Sequence, residues 1–374
     1  MKVTFLIPGH YWHPIGGYKV IYEYANQLDA RGHEVTLVFP PCENIRTTFR
    51  EAPIARKFRS YRWAIHRRNS QRRRPLVPWF ALRPGVRLQT VPYLDERYIP
   101  SGDAIFATGW QTAPFVAAYA PSKGAKYYLI QHYENWQGEE DVMRDTWKLP
   151  LRKIVIARWL LDKASADFDE AASTTHIPNG LDFDTFNLDE PIEGRRPRIG
   201  MMHHHHDWKG IDDGLAAIAA AKAQAPDVDA VLFGTGPRPD DLADWIDYVR
   251  APESKALRAL YNSCSIFLHP SWAEGLPAPP AESMMCGCAL VAASNEGVRD
   301  YATDEVNALM APIKRPDLLA DCIVRLLKDD ALRIKLARAS NESIREFTWD
   351  RAGEAMDGLL KGIEASLPER ASRP

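Results

Sequence analysis

Glu274 and Glu282 stand eight positions apart in the stretch His269-Pro-Ser-Trp-Ala-Glu-Gly-Leu-Pro-Ala-Pro-Pro-Ala-Glu282. An ionised carboxylate only accepts hydrogen bonds, so both positions suit a ligand that offers hydroxyls. Loop amides and a helix N-terminus between them suit an anion. Hydroxyls at two places with a phosphate between them describe a nucleotide sugar. Lys209-Gly210 opens a helix further upstream. A lysine is a compact charge suited to phosphate, and it is ill placed at a helix start unless an anion is present. Gly16-Gly17 precedes another helix, where glycine lets a ligand approach the backbone. His132 ends a strand and completes the set of reactive side chains, with Tyr133, Glu134 and Asn135 following it.

These residues need elements to hold them. Val3 to Ile7 reads as a strand, Tyr18 to Arg31 as a helix with apolar residues at helical spacing, and Val35 to Phe39 as a second strand. Strand, glycine loop, helix and strand make a parallel α/β unit. Further strands are expected at 104–107, 127–131 and 153–157. After Ile177-Pro-Asn-Gly-Leu-Asp182 a second α/β series begins. It has a strand at 198–202, a helix at 211–225 and a strand at 228–233 that ends in Gly234. Strands at 265–268 and 288–293 then flank a short helix over about 280–286, which puts Glu282 in its first turn. Strand carboxyl ends are where open α/β sheets bind ligands.

The stretch around Glu274 resembles the E-x7-E motif of retaining glycosyltransferases of family 4. Gly275, Pro279, Glu282, Met284, Cys286 and Gly287 match that family's pattern in place. Leu276 replaces its aromatic residue, and Pro277, which has no N–H, replaces its second glycine. The resemblance implies a GT-B fold of class α/β: two Rossmann-like parallel-sheet domains facing each other across a cleft. It implies an acceptor-binding domain over 1–175, a donor-binding domain over 176–348, and a last helix at 349–365 that packs back on the first domain. It further implies transfer of a sugar from a nucleotide-diphosphate sugar to the hydroxyl of a glycan, lipid-linked or small-molecule acceptor, with retention. In such a site Glu274 meets the donor sugar and Glu282 the ribose. Lys209 with Gly16 and Gly17 meets the diphosphate. Gly275, Leu276 and Gly234 complete the donor side, and His132 lies beside the donor sugar and the acceptor. No metal and no cofactor are expected, because no Asp-x-Asp pattern sits at a strand end. The family's arginine after the first strand of the second domain is absent, since Gly200-Met-Met-His203 stands there. His203 to His206 could contact phosphate, bind metal or form an ordinary polar loop. Rival readings are a nucleotide-sugar epimerase or phosphorylase, and a non-catalytic nucleotide- or sugar-binding protein of the same fold.

Composition bounds the rest. A chain of 374 residues is long for one core, and two domains are the natural expectation. The formal net charge of -2 gives no pull toward nucleic acid. Five cysteines show no zinc spacing, and the sequence reads as cytoplasmic. No apolar run has the length of a membrane helix. Residues 56–74 nevertheless hold nine Lys/Arg and no acid, interleaved with aromatic and apolar residues. They form either a solvated surface or a contact for an anionic partner, such as the inner face of a membrane or an acidic acceptor.

Overall fold

A computed structural model describes residues 1–42, 46, 48–71, 75–134 and 140–362. Asn135, Arg72 to Arg74, and the end of the chain from residue 363 lie outside the described residues. The chain forms two compact units, Met1–Asn179 with Trp349–Pro374, and Gly180–Thr348.

Among the described residues the first unit has seven strands: β1 Lys2–Leu6, β2 Glu34–Phe39, β3 Arg87–Thr90, β4 Ala104–Ala107, β5 Ala125–Ile130, β6 Arg152–Val155 and β7 Thr174–His176. Every pairing is parallel, and the order is β3-β2-β1-β4-β5-β6-β7. Parallel strands covered by helices on both faces read as short continuous apolar runs, as in β4, which is buried throughout. Phe5, Phe106 and Tyr127 stack across β1, β4 and β5, with centroids 4.5 and 4.9 Å apart. The crossover helices are α1 Gly16–Ala30, α2 Ile54–Ser70, α3 Ala113–Ala118, α4 Glu140–Trp147 and α5 Arg158–Phe168.

The second unit has six parallel strands in the order β10-β9-β8-β11-β12-β13. They are β8 Arg198–Met202, β9 Asp229–Gly234, β10 Ile246–Arg250, β11 Ile266–His269, β12 Ala289–Ala293 and β13 Ala308–Ala311. Its helices are α6 Ile211–Gln224, α7 Ser254–Ser263, α8 Ala278–Met285, α9 Pro316–Lys328 and α10 Asp330–Ser343. One face of the sheet packs Ile199, Met201 and Leu232 against Ile218 and Ile323, and the other packs Phe233 and Phe267 against Tyr261 and Met284. The last helix, α11 Trp349–Leu360, belongs to the first unit. It lies on α1, where Arg31 pairs with Asp350 at 2.6 Å, and His33 at the start of β2 pairs with Asp357 at 2.7 Å.

In each sheet the strand order reverses once, between β1 and β4 and between β8 and β11. Neighbouring connections there leave toward opposite faces, which opens a crevice at the strands' carboxyl ends. The doubly wound Rossmann-like class expected from the sequence is what both units adopt.

Candidate functional site

In the second unit, the loops after β8 and β11 meet at the reversal point. The chain leaves β8, turns through Asp207–Lys209, and enters α6 at Gly210, whose φ is 62°. A Cβ at Gly210 would stand 2.3 Å from the Pro270 carbonyl oxygen, so only glycine allows the two loops to touch. The Trp272 backbone N–H donates to the Trp208 carbonyl at 2.7 Å, and the Trp272 indole donates to Asp213 at 2.7 Å. This lacing delivers the Lys209 ammonium to both oxygens of Glu274, at 2.8 and 3.0 Å. The two side chains are 17% and 11% exposed, so the pair is largely withdrawn from water.

Burial opposes ionisation of Glu274, but Lys209, His269 and the Ser271 hydroxyl outweigh it and hold its pKa below the ordinary glutamate value. His269 ends β11 with its Nε2 4.0 Å from Glu274. Burial pushes His269 down to about 4, against the pull of Glu274, so the ring is neutral at pH 7. Asn295 lies 3.4 Å from that ring and donates to the Ser271 carbonyl at 2.9 Å, while its own oxygen accepts the Val298 N–H. His269 and Asn295 are parts of the arrangement that the sequence reading missed. A histidine at the last position of a strand was the available signal for the first.

Glu282 lies in the second turn of α8 rather than the first, because the helix starts at Ala278. Pro279 and Pro280 fall within the first turn, where a missing N–H costs nothing. The buried Tyr261 donates its hydroxyl to Glu282 at 3.1 Å and fixes that carboxylate apart from the Lys209–Glu274 pair. Gly275 is buried, and Leu276 packs on the Phe267 side of the core. Gly234 ends β9 where a Cβ would stand 2.6 Å from the His203 carbonyl oxygen, so its small size serves the approach of that loop. His204, His205 and His206 have ring nitrogens within 4.8 Å of one another and could hold a metal ion. Their rings stack face to face or tilted, and His206 also stacks on Trp208. Burial first, then Lys209 and the neighbouring rings, pushes His204 down to about 4.

In the first unit, Gly16 and Gly17 are the first two residues of α1 rather than a loop before it. Ile15 caps the helix without a side-chain hydrogen bond, which leaves the glycine amides at an uncapped, electropositive end. Gln131 donates to the Gly17 carbonyl at 2.9 Å and ties that end to the exit of β5. His132 follows two residues after the end of β5. Its Nδ1 lies 3.0 Å from the Tyr133 carbonyl, which can only accept, so Nδ1 carries a proton. Burial raises Glu134 to about 7, against the stabilising Trp110 backbone N–H. Trp110 also lines a cavity of about 520 Å³ with Leu94, Asp95, Phe115 and Tyr119.

Residues 196–329 match the family model described as glycosyl transferases group 1. The chain is 24% identical over 235 residues to a phosphatidyl-myo-inositol mannosyltransferase of Mycolicibacterium smegmatis, covering 58% of each chain. It is 34% identical over 118 residues to a D-inositol 3-phosphate glycosyltransferase of Xylanimonas cellulosilytica, covering 32% of this chain and 28% of that one. It thus spans little more than half the length of the first of these relatives. Among solved structures, HepE of Anabaena in complex with UDP and glucose superimposes with a TM-score of 0.71 at 15% identity, over 97% of this chain and all of that one. Sucrose-phosphate synthase from Thermosynechococcus elongatus superimposes with a TM-score of 0.68 at 16% identity, over 97% of this chain and 98% of that one. The fold is the GT-B fold, shared with these structures.

Proposed function

We propose that this protein, whose residues 196–329 form a group 1 glycosyltransferase domain, is a cytoplasmic retaining glycosyltransferase that takes its sugar from a nucleotide-diphosphate donor. The observation that carries the reading is the Lys209–Glu274 pair at the β8/β11 reversal point. Lysine has three N–H donors. Lys209 uses two of them on Glu274, and the third serves a diphosphate oxygen. Glu274, held ionised, accepts hydrogen bonds from the donor sugar's hydroxyls. Glu282, oriented by Tyr261, does the same for the ribose. The α1 N-terminus at Gly16 and Gly17 adds backbone donors for the diphosphate. Front-face attack then lets the leaving diphosphate take the acceptor proton, so catalysis rests on positioning and charge stabilisation. His132 contributes at the acceptor hydroxyl of a glycan, lipid-linked or small-molecule acceptor.

Support comes from the matched domain, which includes Lys209, Glu274 and Glu282, and from a UDP and glucose complex of a protein with the same fold. A rival reading, donor binding without transfer, draws on Pro277, which caps α8 and offers no N–H there. Screening hydrolysis of UDP-, GDP-, ADP- and dTDP-sugars tests both. Turnover of one donor that is lost in Glu274→Ala supports transfer, and tight donor binding with no hydrolysis and no transfer would select the rival.

A further inference from the structure

The long acid-free segment of the first unit folds into α2, Ile54–Ser70. Between Glu51 and Asp95 the sequence has eleven Lys/Arg and no carboxylate, although the whole chain has 47 Lys/Arg against 49 Asp/Glu. The inner side of α2 is anchored. Ser60, Ala64 and Arg67 are buried, the Arg67 guanidinium lies 4.0 Å over Trp12, and Thr90 donates to the Ala64 carbonyl at 2.8 Å. A second side, about 120° around the helix from the anchored one, is unusual for a surface. Ile54, Phe58, Tyr61 and Ile65 follow one another at spacings of four, three and four residues. They are 73%, 69%, 37% and 49% exposed. With 3.6 residues per turn, these four side chains fall within an arc of about 60°. Lys57 and Arg68 flank the arc on one side, and Arg59, Arg62 and His66 on the other. Lys57 leans over Phe49 at 4.5 Å, and Arg97 lies over the same ring at 4.3 Å.

A solvated surface accounts for the charges but not for a continuous aliphatic and aromatic stripe between them, since exposed apolar rows are costly in water. A nucleic acid would meet the charges and leave Ile54 and Ile65 without a suitable contact. The headgroup region of an anionic bilayer meets both requirements, because phosphates face the arginines while the stripe enters the acyl boundary. We infer that α2 is an interfacial helix that docks the first unit on an anionic lipid surface through Ile54, Phe58, Tyr61 and Ile65, with Lys57, Arg59, Arg62 and Arg68 on the headgroups. This inference stands on α2 alone and does not depend on the chemistry proposed above.

The test is flotation of the full chain with phosphatidylcholine vesicles and with vesicles that also contain phosphatidylglycerol. Recovery should be high only on the anionic vesicles and should fall with added salt. Changing Arg59, Arg62 and Arg68 together to Gln should lower the partition coefficient by about tenfold or more. Changing Ile54, Phe58 and Ile65 together to Ser should do the same, with the melting curve confirming an intact fold. Ile65→Trp provides the opposite sign, since tryptophan favours the interface and should raise recovery. Equal recovery on neutral and anionic vesicles would overturn the inference. So would loss in the arginine variant with none in the serine variant and no gain with Trp, a pattern that marks a site for a soluble polyanion.

Discussion

Glu274 and Glu282 are both carboxylates, but their surroundings differ, and substitutions should separate them. Glu274 is paired with Lys209 and nearly withdrawn from water, whereas Glu282 is held by the hydroxyl of Tyr261. A contact that strengthens in the transition state appears in kcat, and a uniform binding contact appears in KM. Glu274→Ala should therefore lower kcat by about tenfold or more, and Glu282→Ala should mainly raise the donor KM. Wild-type kcat in a folded Glu274→Ala protein would remove the central assignment. His269 makes a second, pH-based prediction. Its pKa of about 4 in the folded protein compares with 6.5 for an unperturbed ring. Above pH 6.5 the ring is neutral in both states and adds no slope. Between 6.5 and about 4 only the unfolded chain takes the proton, so stability falls with pH by about 3 kcal/mol from this residue. Glu274 acts in the same direction at lower pH, since stability from its depressed pKa is lost as pH falls through that pKa. Urea unfolding across this range should show the slope, and His269→Gln should flatten it by about one proton. An unchanged slope in that variant would mean that His269 is protonated in the folded state.

The β8–α6 turn shows how one element fixes a reactive side chain. Gly210 is left-handed, and a Cβ there would strike the Pro270 carbonyl at 2.3 Å. Gly210→Ala should cost about 1–2 kcal/mol for the backbone conformation alone. The contact with Pro270 adds to that, so the melting temperature should drop by at least several degrees. Because the same turn carries Lys209, kcat/KM should fall together with it; full activity would show that the turn does not position the lysine. The histidines of this turn bear on metal use. The diphosphate charge is assigned to Lys209 and backbone amides, so activity should survive EDTA. Complete loss that manganese or magnesium restores would move the metal question to His204, His205 and His206. Much at this scale could be read from the sequence. The apolar runs of β4 and β8 fall at 104–107 and 198–202 as expected, and Lys209 and Glu274 stood out by type and place. The ion pair between them could not be read, because 65 residues separate the partners and only the strand order brings them together. β10 was missed because it is an edge strand, largely exposed, whose Ile-Asp-Tyr-Val-Arg sequence has no apolar run. α1 and α8 each start two residues earlier than the sequence pattern predicts, because glycine and proline read as breakers although a helix's first turn tolerates both.

Across the whole molecule, the residues assigned to the donor are unequally divided. Lys209, Gly234, Glu274, Gly275, Leu276 and Glu282 all belong to the unit Gly180–Thr348, while Gly16, Gly17 and His132 belong to the other. The second unit is also continuous in sequence, whereas the first is built from two pieces and needs α11 to complete it. The ends of the second unit meet in a parallel bridge between Leu181 and Thr348, and the Leu181 N–H donates to the Phe347 carbonyl at 2.9 Å. A unit with its own core and adjoining termini should fold when excised. A fragment covering 180–348 should therefore give a single cooperative melt. If Lys209, Glu274 and Glu282 supply most of the donor contacts, the fragment should bind the nucleoside diphosphate of the preferred donor with a Kd within about tenfold of the full chain, a loss of at most about 1.4 kcal/mol. Calorimetric titration of both proteins measures this directly. A folded fragment that binds a hundredfold or more weakly would shift the main diphosphate contact to the glycine amides of α1. The Lys209→Ala variant of the full chain gives the cross-check, because it should lose affinity in the first case and keep most of it in the second.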